Sequence, residues 1–245
     1  MVLKLAFLFF IGSVSGWVIE LFYRHYVSDT NPEHKWINPG FCTGPYLPIY
    51  GFGLCILYLI SLLEQFQWIQ NPLINKGLLF LLMAVCMTLI EYIAGMFTLK
   101  IAKVRLWDYT NELGNIQGVI CPKYSIIWAI LGAVYYFLIH PHIIGALEWF
   151  SNNLAFSFVI GLFFGVFIID VVKSAELVAK LKQYAEENNL VVRYEMIKAD
   201  IHDGYVQAKK KYHFFLPFRS EFPLSEHMKH LKEQSETKST KHRRQ

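Results

Sequence analysis

Five apolar runs limit what this chain can become: residues 3–23, 46–63, 77–99, 124–139 and 154–172. A helix needs roughly 17–25 apolar residues to cross the ~30 Å hydrocarbon core of a bilayer, and four of the runs reach or approach that length. The fifth, 46–63, carries Pro48, Gly51 and Gly53 near its start, which a membrane helix tolerates where its neighbours re-satisfy the backbone. Run 124–139 is the shortest. The expected fold is all-α, a polytopic helical membrane protein of five spans. Hydrophobic residues make up 54% of the chain and charged ones 17%, proportions outside the usual soluble range.

Charge is placed unevenly. Of 23 Lys and Arg residues, 15 lie after Asp170, so the net charge of +4 describes the tail rather than the body. Residues 1–172 are expected to form the transmembrane domain, 173–234 a cytoplasmic amphipathic helical region and 235–245 a disordered basic tail. Positive loops are retained in the cytoplasm. The N-terminus and connections 64–76 and 140–153 hold Lys4 and Lys76; the other set holds Arg24, Lys35, Lys100, Lys103, Arg105, Lys123 and the tail. That asymmetry predicts a cell-membrane protein with its N-terminus outside and its C-terminus cytoplasmic. Lys4 before an apolar run and Ser13-Val14-Ser15 imitate a secretory signal. The apolar pattern continues through Gly16-Trp17-Val18-Ile19, however, and the segment is expected to stay as a span.

Cys42, Cys55, Cys86 and Cys121 fall in cytoplasmic loops or in spans, which does not favour disulfides. Their spacing is wrong for zinc. No metal site, cofactor or catalytic residue is expected.

The first four spans read as a duplicated helical hairpin. Val18-Ile19-Glu20 sits in the first half where Leu89-Ile90-Glu91 sits in the second. Gly40-Phe41, Tyr46 and Ile49-Tyr50 align at one offset with Gly118-Val119, Tyr124 and Ile127-Trp128. Asn38 and Asn115 precede the glycines at slightly different distances. Both halves run out-to-in and then in-to-out, a parallel repeat of the kind many transporters carry, with sites at the repeat interface.

A carboxylate inside the bilayer costs a few kcal/mol on insertion scales and is usually paired, cavity-facing or functional. Glu20 has Arg24 one helical turn later in the favourable acid-before-base order. Glu91 lies ~21 Å along its span by the helical rise and has no such partner. The two glutamates, at similar depth, are expected to share a polar site with Asn38, Asn115 or Arg105. The Gly- and Pro-rich stretch from Asn38 to Gly53, with Gly40, Gly44, Pro45, Pro48, Tyr50 and Gly51, predicts a tightly folded or re-entrant loop leading into span two. It faces a substrate or partner, or it is simply a tight turn with Pro45 at a helix N-terminus. Trp107-Asp108-Tyr109 belongs to the second cytoplasmic loop with Gly118. Its aromatics suit interface anchoring, and Asp108 has Arg24, Lys35 and Arg105 as candidate partners.

Beyond Val171, Leu177, Val178, Leu181, Tyr184 and Ala185 alternate with charges at helical spacing. This predicts an amphipathic helix to about Glu187, a break at Asn188-Asn189 and a second helix toward Lys211. Lys209-Lys210-Lys211-Tyr212-His213-Phe214-Phe215 reads as a membrane-surface segment. Lipid headgroups, not nucleic acid, are the expected anionic partner.

Gly16-Trp17 with Glu20, the Gly40-to-Gly53 stretch, Glu91-Tyr92, Trp107-Asp108-Tyr109, Asn115 with Gly118-Val119-Ile120-Cys121, and Asp170 with Ser174 together resemble the ABC-transporter type IV (CmpB-like) membrane family of mostly Gram-positive bacteria. The resemblance covers Phe7 to Ser174. Pro39 stands where a basic residue is usual, which weakens an anion site there, and Ala129 stands where Gly commonly follows Trp. The resemblance implies a transport permease. The chain has no G-x-x-x-x-G-K-[ST] loop, so an ATPase would be another chain; a homo-oligomer is the other expected partnership. Two further readings stay open. One is a membrane-anchored regulatory or scaffold protein of the bacterial envelope, with the tail recruiting partners. The other is an enzyme using Glu20, Glu91 and Asp108 on a lipid-linked substrate, although no recognised catalytic constellation accompanies them.

Overall fold

The computed structural model describes residues 1–28, 31, 33–66, 69–187 and 192–193. The chain divides into two compact units, Met1–Val192 and Arg193–Gln245; everything below concerns the first. Six α-helices follow one another: α1 Val2–Tyr26, α2 Pro48–Ser61, α3 Pro72–Ile101, α4 Pro122–Ala133, α5 His140–Asn152 and α6 Leu154–Glu187. Helix α2 extends through a 3₁₀ turn at Leu62–Phe66, and α4 joins α5 through a π turn at Val134–Ile139. Among the described residues, five helical segments are long and apolar enough to cross a membrane: Val2–Tyr26, Pro48–Phe66, Pro72–Ile101, Pro122–Asn152 and Leu154–Gln183. The all-α, five-span expectation holds.

Prolines begin several of these helices for a shared reason. Pro has no N–H to leave unsatisfied in a first turn and its φ is already helical, so Pro48, Pro72 and Pro122 each stand at a start. Asn71 caps α3, its side chain accepting from Leu73 N at 3.0 Å and Ile74 N at 3.4 Å.

The segment 140–153 differs from its expected role as a simple connection. It is helical from His140 to Asn152 and packs against α1 and α6. Pro141 would break a regular helix by removing an N–H and crowding the carbonyl four residues back. The π turn just before it widens the spiral and absorbs that conflict. Helix α6 likewise runs unbroken across the boundary expected at residue 172. The break at Asn188-Asn189, the second tail helix, the Lys209–Phe215 segment and the 235–245 tail lie outside the described residues.

Helices α1 and α2 make the closest pairing, followed by α3 with α4 and α2 with α3. The buried residues of α3 fall on one row of four-residue steps: Asn75, Leu79, Met83, Met87, Glu91 and Gly95. The row Leu81, Val85, Leu89, Ile93 and Phe97 on the same helix is exposed, as suits a face turned to lipid. Leu8, Leu57, Tyr58, Leu79, Met83, Trp128, Tyr135 and Leu147 lie in the common core.

Candidate functional site

Small residues set the distance at which the first hairpin closes. Gly12, Gly16 and Glu20 share one face of α1 at four-residue intervals. A Cβ on Gly16 would come within 2.2 Å of the Tyr50 ring, so only glycine lets that ring lie flat on α1. The consequence appears one turn on: Tyr50 donates its hydroxyl to Glu20 Oε2 at 3.1 Å. Arg24 Nε donates to Glu20 Oε1 at 2.9 Å, the pair expected from their spacing. Gly51 packs on Phe9 and Ser13 of α1, and Gly53 meets Met87 of α3, so α2 is held between α1 and α3.

The second hairpin repeats the plan with different groups. Glu91 Oε1 accepts from the Tyr109 hydroxyl at 3.1 Å, and the Trp128 side chain stands beside the same carboxylate. Trp128 occupies the position equivalent to Tyr50, and the two rings meet with centroids 4.9 Å apart. Tyr109 stacks on Tyr124 within the second half at 4.2 Å, and the Tyr124 hydroxyl shares a hydrogen bond of 2.9 Å with that of Tyr23 in the first half. Burial, with the Glu91 and Glu20 carboxylates adding to it, pushes the Tyr109 phenol well above its ordinary value. It remains a neutral donor.

The two loops above these carboxylates are braced by asparagines. Asn38 Oδ1 takes the Gly40 N–H at 3.1 Å and the Trp17 indole N–H at 2.9 Å, while its Nδ2 donates to the Cys42 and Thr43 carbonyls. Asn115 Oδ1 takes the Gly118 N–H at 3.0 Å, and its Nδ2 donates to the Thr110 and Glu112 carbonyls. Gln117 and Gly118 both have positive φ, at 57° and 67°, the signature of a primed hairpin turn. Arg105 pairs with Asp108 at 3.0 Å, and its Nη1 also reaches the Gly118 carbonyl. The Trp107 indole donates to Val119 O at 2.8 Å.

The candidate residues therefore divide. Glu20, Arg24, Tyr50, Glu91 and Tyr109 come together between the hairpins. Asn38 and Asn115 brace loop backbone, each beside its own glycine, and Asn38 also accepts from the Trp17 indole of α1. Arg105 is likewise bound to Asp108 in the second loop. Gly40, Gly44 and Pro45 form bends ahead of α2, whose start is Pro48 rather than Pro45.

Asp170 on α6 is the main partner missing from the candidate set. It accepts from Thr43 N at 3.1 Å, Gly44 N at 2.8 Å, Ser174 Oγ at 3.3 Å and the Tyr46 hydroxyl. Burial, then the Asp170 hydrogen bond and charge, raises the Tyr46 phenol above its ordinary range. Asp170 thus pins the first loop to the last span. The signal was present in the sequence, since it is the sole acid in the run 154–172 and an intramembrane acid calls for a partner.

A family model described as Putative ABC-transporter type IV matches residues 7–175, which takes in both hairpins and the Asp170 brace. No curated protein and no solved structure matches the chain.

Proposed function

We propose, since the chain belongs to the Putative ABC-transporter type IV family, that it is the membrane subunit of a transport permease whose polar pathway runs between the hairpins past Glu20 and Glu91. One observation carries this reading: two carboxylates from corresponding helix ends of the two hairpins lie close enough to act on one another, each bonded to a tyrosine hydroxyl. Each costs a few kcal/mol to hold there. The chain lacks a phosphate-binding loop, so the ATPase is assigned to a separate subunit. Loop charge supports a cytoplasmic side for the braced loops, with Lys100, Lys103, Arg105 and Lys123, where such a subunit would dock. Five spans are few to enclose a pathway, which favours assembly with a second copy or another membrane subunit, surrounded by lipid.

Uptake or efflux measured in membrane vesicles tests the reading. Glu91→Gln is expected to abolish it while protein amount and melting temperature stay within the wild-type range; normal transport by a folded Glu91→Gln protein contradicts it. A scaffold reading draws on a different observation, the unbroken passage of α6 from apolar span to charged helix ending at Glu187. Deleting residues 188–245 would then remove the cellular phenotype and leave transport untouched.

A further inference from the structure

The repeat keeps its second carboxylate and drops the counter-ion. Arg24 follows Glu20 by one turn, and the residue at that spacing from Glu91 is Gly95. A Cβ on Gly95 would come within 2.3 Å of Val119 Cγ1 and 3.0 Å of the Trp107 ring. The second loop has filled the space an arginine would need. Glu91 is 2% exposed, and its Oε2 has no hydrogen-bond partner among the described residues. The titratable and charged groups that act on it are Glu20 from α1, Tyr50 from α2 and Tyr109 from the second loop, with the Trp128 side chain of α4 beside the carboxylate. Arg24 is bonded to Glu20 and Arg105 to Asp108.

We propose that Glu91 takes up and releases a proton on Oε2 as the bundle changes state. A buried carboxylate without a paired cation is too costly to persist as an isolated charge, so a cation must visit it. A metal ion takes several oxygen ligands. The open position here offers one, and no group of three His, Cys, Asp or Glu comes together among the described residues. A proton needs one oxygen. Glu20, whose side chain is 24% exposed, is the less buried of the two carboxylates, and the Tyr50 and Tyr109 hydroxyls each bond one of them. The proton comes from water and returns to water, and no other bond changes. The inference rests on the transport reading only for what the proton accomplishes; its presence is separately measurable.

The full chain in lipid nanodiscs, treated with dicyclohexylcarbodiimide and mapped by peptide mass spectrometry, provides the test. A protonated buried carboxyl adds across the reagent's C=N bond, its oxygen to carbon and its proton to nitrogen, whereas an ionised one lacks the proton that starts the addition. The expected result is an adduct on Glu91 that falls about tenfold per pH unit above its midpoint, as a single proton site does. Sodium leaves it unchanged, Glu91→Asp keeps it and Glu91→Gln removes it. Cys42 and Cys121, both buried, must stay unreactive to a thiol reagent, which certifies the fold. An unlabelled Glu91 at every pH in folded protein overturns the proposal, and so does an adduct lost on adding sodium. Labelling at Glu91 together with normal transport by Glu91→Gln upholds the proton and removes the transport reading. No labelling together with lost transport does the reverse.

Discussion

Asp170→Asn alters one atom of the brace that fixes the first hairpin loop, and its effect can be worked from the contacts. Oδ2 takes the Gly44 N–H and the Tyr46 hydroxyl, and Oδ1 takes the Thr43 N–H and the Ser174 hydroxyl. An amide keeps one acceptor oxygen and turns a donor toward the other pair, so either orientation leaves a backbone N–H facing N–H. Hydrogen bonds to a charged group contribute ~1.5–3 kcal/mol each, and a buried donor left unmet costs ~1–3 kcal/mol. A loop-opening penalty of about 3 kcal/mol is lost, roughly 100-fold in the opening equilibrium at ~1.4 kcal/mol per factor of ten. Cys42 reports on it directly, being 0% exposed and next to Thr43. Native-state alkylation resolved by site should therefore quicken roughly 100-fold at Cys42 in Asp170→Asn, because modification of an opened state tracks its population. Cys121, 2% exposed in the other loop, should keep its wild-type rate. An unchanged Cys42 rate, or an equal rise at Cys121, would refute the reasoning.

Other substitutions probe the carboxylate site itself. Tyr109→Phe keeps the stack on Tyr124 but removes the donor to Glu91, and should lower unfolding stability by ~1–3 kcal/mol, an effect that vanishes in a Glu91→Leu background when the two are combined in a double-mutant cycle. Because the folded Tyr109 holds its proton above the ordinary value of 10.0, its contribution is fully present below that pH and is lost as pH rises beyond it. Melting across this range should show a decline that Tyr109→Phe flattens. Gly16→Ala pushes a methyl into the Tyr50 ring and should cost ~1–3 kcal/mol by overpacking; Gly161→Ala, with nothing within 4 Å, should match or exceed wild-type stability by up to ~1 kcal/mol. Arg24→Ala removes the cation bonded to a largely buried Glu20 and should cost ~1.5–3 kcal/mol in the same melts.

Local rules made much of this legible. Length and apolarity located the spans, the four-residue spacing of Glu20 and Arg24 found their pair, and the price of a membrane carboxylate singled out Glu91. What escaped were contacts between residues distant in the chain. Nothing local says that Asp170 will meet Thr43 and Gly44, or that Tyr109 will turn from the interface to Glu91. Asn38 and Asn115 looked like members of a polar site because an amide in a glycine-rich loop is equally suited to a ligand or to neighbouring backbone. His140-Pro141-His142 looked like the end of a span, since a π turn that accommodates proline leaves no composition of its own.

The proposal that the chain is the membrane half of a two-part transporter is tested most directly by what accompanies it from its own membrane. The protein would be purified in mild detergent at native abundance, and its companions quantified by mass spectrometry. The result expected is one ATPase subunit with a phosphate-binding loop, recovered near stoichiometry with wild type and retained with Glu91→Gln. Recovery of envelope or signalling proteins alone, with no nucleotide-hydrolysing subunit, would contradict it.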